Sequence, residues 1–174
     1  MYPQEYISYL VHFHGDRDYF ECHEILEDYW KHLDPGNKDS IWVGLIQLAV
    51  SCYHHRRGNF KGAKKTLEKA STILCIQNDS VSKLGLNQQL LIQLVREQIS
   101  TIEKENPYKS FYLPIDDPLL EEDCIKTSKE QGFRWGIGSD MSNVNLVHRH
   151  KLRDRSSIIL ERNLALKDRK GNES

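Results

Sequence analysis

The stretch of residues 41–50, Ile-Trp-Val-Gly-Leu-Ile-Gln-Leu-Ala-Val, is apolar on almost every side of a helix, and it constrains the fold more than any other part of the chain. A surface helix is apolar along one stripe only, so a helix of this composition must be covered by its neighbours. The run contains a glycine and a glutamine and is far shorter than the roughly 20 residues that span a bilayer. It therefore predicts the central helix of a bundle.

Breaker residues divide the N-terminal part of the chain into five predicted helices. The turn Asp34-Pro35-Gly36-Asn37 combines the strongest turn-forming residues. Between such turns the apolar residues recur with helical spacing, and no run of alternating residues predicts a strand. The predicted helices cover about residues 3–14, 18–33, 40–57, 60–76 and 87–104. We therefore expect an all-α, compact antiparallel helical bundle of about five helices over residues 1–106.

Residues 107–174 are predicted to form a less regular, partly helical C-terminal extension. In chain order it comprises an aromatic strap (108–114), a helix (118–131), a glycine-containing loop (132–145) and an amphipathic helix (147–170). Asp117-Pro118 supplies a cap and a first-turn proline for the first of these helices. The last segment, through residue 174, carries eight Lys and Arg against four Asp and Glu, which is more typical of a solvated helix face than of a nucleic-acid site. The extension packs either on the bundle or on a partner.

Charge and cysteine content exclude several classes of protein. With 24 Lys and Arg against 25 Asp and Glu the net charge is −1, so no whole-molecule field recruits nucleic acid or an anionic membrane. Four widely spaced cysteines without a Cys-x-x-Cys pair indicate neither a zinc knuckle nor a dithiol redox motif. The N-terminus lacks the basic and apolar regions of a signal peptide. We expect a cytoplasmic protein that binds no membrane, with a small molecule, another protein or a further copy of itself as partner.

The second predicted helix places two ionisable residues where an amphipathic helix carries apolar ones. Helical spacing puts His23 on the apolar face between Tyr19 and Trp30. Glu27 follows His23 by one turn, and Glu24 lies at the border of the same face. A buried charge left bare costs several kcal/mol, so it must be paired, hydrogen-bonded or bound to a cation. A His and a Glu four residues apart can satisfy each other or bind one divalent metal together.

The third predicted helix offers a matching stripe of small and polar residues. At helical spacing, one side carries Ser40, Gly44, Gln47, Ser51, His54 and Gly58. The small residues allow a neighbouring helix to approach closely, and the polar residues offer hydrogen bonds or, in His54, a metal ligand. We expect this stripe to face the side of the second helix that carries His23 and Glu27.

Three motifs stand in a fixed order along the second to fourth predicted helices. They are Phe20-Glu21-Cys22-His23-Glu24 with Glu27 and Trp30, then Gln47-Leu48-Ala49, then Arg57-Gly58-Asn59 with Gly62-Ala63. In order and spacing they resemble a bacterial and archaeal family catalogued as domain of unknown function number 309, over roughly residues 5–80. The resemblance implies a small all-helical bundle. That family has carried the label of metal-dependent hydrolase, which implies a site at His23, Glu24 and Glu27.

The turn after residue 57 and the helix that follows it carry a further spacing pattern. Its members are Gly58, Phe60, Ala63, Leu67 and Ala70. The pattern resembles one tetratricopeptide helix pair, although Gln47 stands where a Trp is typical, and no second copy follows at a period of about 34 residues. The likeness implies the packing of one helical hairpin and keeps an interaction module among the alternatives.

Two hypotheses of function follow. In the first, the protein is a metal-dependent hydrolase-like protein in which a divalent metal ion activates a water molecule. Its metal ligands are His23, Glu27 and His54, its catalytic base is Glu24, and the supporting polar network comprises Gln47, Ser51, Trp30, Arg57 and Asn59. In the second, the protein is a non-enzymatic interaction or scaffold module, and the polar cluster only fixes the bundle. Two or three ligands are fewer than catalytic zinc usually requires, so the sequence leaves both hypotheses open.

Overall fold

Eight helices form the framework of the part of the chain that the structure describes. The structure, a computed structural model, describes residues 1–148. Its helices are α1 (Gln4–His14), α2 (Tyr19–Leu33), α3 (Ile41–Arg56), α4 (Phe60–Ile76), α5 (Asn78–Lys83), α6 (Gln88–Glu103), α7 (Pro118–Glu130) and α8 (Val144–Val147). Strand pairing in residues 1–148 is limited to an isolated bridge between Leu86 and Ile115. The predicted all-α class is confirmed. The amphipathic helix predicted over residues 147–170 lies almost entirely outside the described residues.

Five of the longer helices begin where the sequence places a capping side chain. In each case a side-chain oxygen accepts a hydrogen bond from a backbone N–H of the first turn, which would otherwise lack a partner. The caps of α2, α3, α4, α6 and α7 are Asp18, Ser40, Asn59, Asn87 and Asp117. The predicted helix boundaries consequently agree with the structure to within one or two residues.

The short helix α5 was not predicted, because its sequence was interpreted as a polar link. Val81 is its one buried residue, so no periodic apolar stripe marks it. After it, the chain turns at Gly85, whose φ of +73° lies in the left-handed region. A Cβ at Gly85 would also lie 2.7 Å from the Tyr2 hydroxyl. The positive φ and this close approach both favour glycine over a residue with a side chain at this position.

α3 lies inside the bundle, packed against α2 and α4. Its residues Leu45, Leu48 and Ala49 are at most 1% exposed, as the all-round apolar composition predicts.

Among residues 1–148, no helix is both long enough and apolar enough to cross a membrane.

The stripe of small residues on α3 faces α4, so the expectation that it faces α2 is wrong for Gly44 and Ser51. A Cβ at Gly44 would lie only 3.0 Å from Cγ2 of Ile73, and the hydroxyl of Ser51 donates to the carbonyl of Ala63 at 2.9 Å. A helix that is apolar all round has no single buried face, and its small residues therefore mark whichever neighbour comes closest.

The described part of the extension packs on the bundle. α7 lies against α1, and Phe111 of the strap contacts Phe13 with ring centroids 5.7 Å apart. Tyr108 of the strap shares a short hydrogen bond between hydroxyl groups with Tyr19. The strap thus covers the end of the bundle where α1 meets α2. The domain boundary at residue 106 stays a prediction.

Two buried arginines join the extension to the bundle. Arg17 is 1% exposed, with a φ of 58°, and its guanidinium donates to the carbonyls of Ile137 at 2.7 Å and Phe111 at 2.6 Å. Arg56 is 4% exposed and donates to the carbonyl of Arg17 at 2.7 Å and to the hydroxyl of Ser139 at 3.1 Å. Backbone carbonyls of the extension thus supply acceptors for a charge buried in the bundle, which makes this contact costly to break.

His14 is a second tether of the strap and works only in its neutral form. Its Nδ1–H donates to the carbonyl of Leu10 at 2.9 Å, and its Nε2 accepts the N–H of Leu113 at 3.0 Å. Burial, together with the nearby charge of Arg17, lowers the pKa of His14 from 6.5 to about 4. A second proton would turn the Nε2 acceptor into a donor that faces the N–H of Leu113.

Acid should therefore loosen the strap. The unfolded chain takes up a proton at His14 near pH 6.5, and the folded chain does so only near pH 4. The free energy of unfolding is then largest above pH 6.5 and falls by on the order of 3 kcal/mol between pH 6.5 and 4. Urea unfolding at pH 7 and pH 5 should show about 2 kcal/mol of this loss. His14→Gln, which cannot titrate, should be less stable at pH 7 and lose less between the two pH values. An equal loss in both proteins would contradict the tether.

Candidate functional site

Two neighbouring cavities, of about 510 Å³ and about 200 Å³, lie along α2 and α3, and His23 lines both of them. The larger cavity is also lined by residues of α4. We call the two cavities together the α2–α3 groove. Its main lining residues are Phe20, His23, Glu27 and Trp30 of α2, Val43, Ile46, Gln47, Val50 and His54 of α3, and Lys69 and Ile73 of α4.

The floor of the α2–α3 groove is apolar. Phe20, Ile46 and Ile73 are each less than a tenth exposed, and Trp30 is half-buried. The indole N–H of Trp30 donates to the carbonyl of Asn37 at 3.0 Å, which fixes the ring at the groove wall. Trp30, which the predicted polar network includes, is thus held by the turn after α2.

His23, Glu27 and Lys31 form a chain of contacts along one face of α2. Nε2 of His23 lies 2.7 Å from Oε2 of Glu27, and Nζ of Lys31 lies 2.8 Å from Oε1 of Glu27. The structure thus brings His23 and Glu27 together as the spacing of four residues predicts. Their side chains are 27% and 32% exposed, so the pair lies at the groove surface rather than in the core. Burial acts to raise the pKa of Glu27, but the hydrogen bond from Lys31 and the charges of His23 and Lys31 outweigh it and lower this pKa.

Three of the donor atoms that a metal would need, Nε2 of His23 and both carboxylate oxygens of Glu27, already have close partners. Nε2 of His23 contacts Glu27, and its Nδ1 lies 3.6 Å from Oε1 of Glu24. Both carboxylate oxygens of Glu27 have partners, and the charge of one of them, Lys31, would repel a divalent cation. Within residues 1–148, no three His, Cys, Asp or Glu side chains are grouped as a catalytic metal requires. The residues present therefore do not fit the divalent metal that the resemblance implies.

Three further predicted site residues, His54, Arg57 and Asn59, lie beyond the narrower cavity or line it. His54 lines the narrower cavity with His23, and its Nδ1 lies 3.3 Å from Nδ2 of Asn59. Asn59 also caps α4 through its side-chain oxygen. The guanidinium of Arg57 lies 5.6 Å from the centroid of the Tyr53 ring. His54, Arg57 and Asn59 thus surround the turn between α3 and α4.

Gln47 and Ser51, predicted as one network, lie in different environments. Gln47 lines the wider cavity together with His23 and Glu27. Ser51 is 2% exposed and bonds to the backbone of α4. Only Gln47 is therefore available to a molecule in the groove.

The sequence prediction missed the cations that border the groove and the arginines that hold the extension. Lys38 and Lys69 line the wider cavity and are exposed, with Asp39 beside them. A single surface lysine has no distinguishing pattern in a sequence. Arg56 could have been noticed as a charge near the end of an apolar helix, whereas nothing around Arg17 predicts its burial.

Comparison with known proteins gives the class of the protein. A family described as Domain of unknown function (DUF309) matches residues 6–66, which include all of α2 and α3. The uncharacterized protein YpuF of Bacillus subtilis (strain 168) is 46% identical over 170 residues, which cover 98% of each chain. The chain belongs to the DUF309 family. No solved structure matches it.

We expect the contact between His23 and Glu27 to add only modestly to stability. Because both side chains are partly exposed, a double-mutant cycle with His23→Ala and Glu27→Ala should give a coupling of roughly 0.5–1 kcal/mol at pH 7. The coupling should disappear as the pH falls through the lowered pKa of Glu27, because the carboxylate is then neutral. Chemical unfolding of the four proteins measures it. A coupling several times larger would show that the pair is a buried structural element.

Proposed function

We propose that this protein is a non-enzymatic interaction module that binds an amphipathic helical segment of another protein in the α2–α3 groove. The proposal is supported mainly by the spacing of the residues of α2 and α3 that line the groove. Positions 20, 23, 27 and 30 of α2 face positions 43, 46, 47, 50 and 54 of α3 across the groove. This spacing repeats every helical turn over a length of about 15 Å, which matches an added helix of about three turns. Helix binding in an apolar groove uses such anchors.

The charges at the groove indicate the chemistry of the partner. Lys38 and Lys69 are exposed at the wider end, where Asp39 is the exposed carboxylate among the lining residues. The charge of Glu27 is offset by its contact with Lys31. With Glu27 offset in this way, the exposed lining charges leave an excess of one positive charge beside an apolar floor. This excess favours a helix that carries acidic residues beside its apolar stripe.

The chain's own C-terminal segment is a less suitable occupant. Residues 149–174 carry eight Lys and Arg against four Asp and Glu. Their net charge has the same sign as the excess charge at the groove, so electrostatic complementarity favours another protein over this segment.

Metal-dependent hydrolysis, the other hypothesis, has less support from the geometry. Its ligands His23 and Glu27 are engaged with each other, and His54 faces Asn59. Elemental analysis of the untagged protein after exposure to Zn²⁺ or Mn²⁺ and desalting tests the hydrolase hypothesis. We expect well under one metal ion per chain, and a stoichiometric metal that is lost in folded Glu27→Ala would support the hydrolase.

A displayed peptide library tests helix binding directly. Each peptide has 16 residues with apolar positions at helical spacing and random flanking positions. We expect selection to enrich acidic flanks, and we expect Lys38→Glu with Lys69→Glu to weaken the selected peptides about tenfold, or ~1.4 kcal/mol. Fluorescence anisotropy measures the affinity, and added salt should weaken it because the charges lie near the surface.

The control is Lys126→Glu, which reverses an exposed charge on α7 away from the groove and should leave affinity unchanged. The proposal fails if no peptide is enriched, or if selected peptides bind equally well after Val50→Glu, which places a charge in the narrower cavity. Tighter binding of a synthetic peptide of residues 149–174 would identify the chain's own segment as the occupant and overturn the proposed partner. Sedimentation of the free protein as a dimer, abolished by Val50→Glu, would instead identify a second copy.

A further inference from the structure

One half-buried amide interrupts the apolar floor of the α2–α3 groove. Gln47 lies between the apolar positions Val43 and Val50 on the same side of α3 and lines the wider cavity. Within residues 1–148, its side chain makes no hydrogen bond, in contrast to Trp30, whose indole is held by the turn after α2. The amide therefore faces the groove with its donors and acceptor available.

The residues opposite Gln47 are held in place. On α2, His23 and Glu27 line the same cavity, and the contact of 2.7 Å between them is extended by Lys31. The ring of His23 also packs against Phe20, with centroids 5.9 Å apart. This part of the groove is thus a polar patch within an apolar surface. His23 and Glu27 are held by their contacts with each other and with Lys31, whereas the amide of Gln47 is available for hydrogen bonds with a bound molecule.

We infer that Gln47 is the specificity-determining residue of the groove and selects partner helices with a hydrogen-bonding side chain, such as Asn, at the position that faces it. A Leu at that position would remove water from the amide without replacing its hydrogen bonds, which lowers affinity by about tenfold or more. A polar residue within an apolar seam fixes the register of paired helices for the same reason. The inference rests on the proposed helix-binding function. It identifies a hydrogen-bonding side chain opposite Gln47 as the feature of the partner that the groove recognises.

The test uses selected 16-residue peptides made in two forms that differ only at the central position, Asn or Leu. The wild-type protein should bind the Asn form about tenfold more tightly, as measured by fluorescence anisotropy. Gln47→Leu should remove or reverse this preference. Gln47→Ala, which removes the amide without adding volume, should also remove it.

Gln93→Leu is the matched control, since Gln93 is an exposed glutamine on α6 outside the groove. It should keep the wild-type preference, and circular dichroism establishes that each variant is folded. Equal binding of both peptide forms to the wild-type protein, or an unchanged preference in Gln47→Leu, would overturn the inference while leaving helix binding intact. If neither form binds the wild-type protein, the proposed function itself fails and the inference fails with it.

Discussion

The need to cover α3 on all sides governs the rest of the structure. α4 comes close enough to touch the backbone of α3 at Gly44, and α2 packs on another side, so the most apolar helix of the chain is largely removed from water. The cover is incomplete where Val43 and Val50 remain half-buried beside Gln47. The groove is therefore a consequence of how the bundle closes, because α2 and α4 leave this side of α3 partly open to solvent.

Most of the fold could be predicted from the sequence, because local chemistry sets its helix ends. Asn59 and Asp117 are typical N-caps followed by helix-forming sequences, and the structure places α4 and α7 directly after them. The sequence did not predict α5 because this helix has only six residues and one buried residue, Val81. Its apolar periodicity is too short to distinguish a helix from a turn.

The candidate site was predictable only as far as it depends on one helix. The contact between His23 and Glu27 follows from a spacing of four residues along α2, whatever surrounds it. The partners across helices could not be derived in the same way. Ser51 and Gln47 are one turn apart on an all-round apolar helix, and the side that each faces depends on how α2 and α4 approach, which is a property of the whole bundle.

The hydrogen bonds of Arg17 affect the order in which parts of the chain fold. Its guanidinium lies near the beginning of the chain, but the carbonyls that accept its hydrogen bonds belong to Phe111 and Ile137. On the ribosome, the helices α1 to α4 emerge well before either acceptor exists, and contacts between such distant positions form late. Until then, water must solvate the guanidinium and the aromatic surface around it stays uncovered. Completion of the bundle therefore waits for translation of the extension, and a chain ending at α6 would keep this exposed surface.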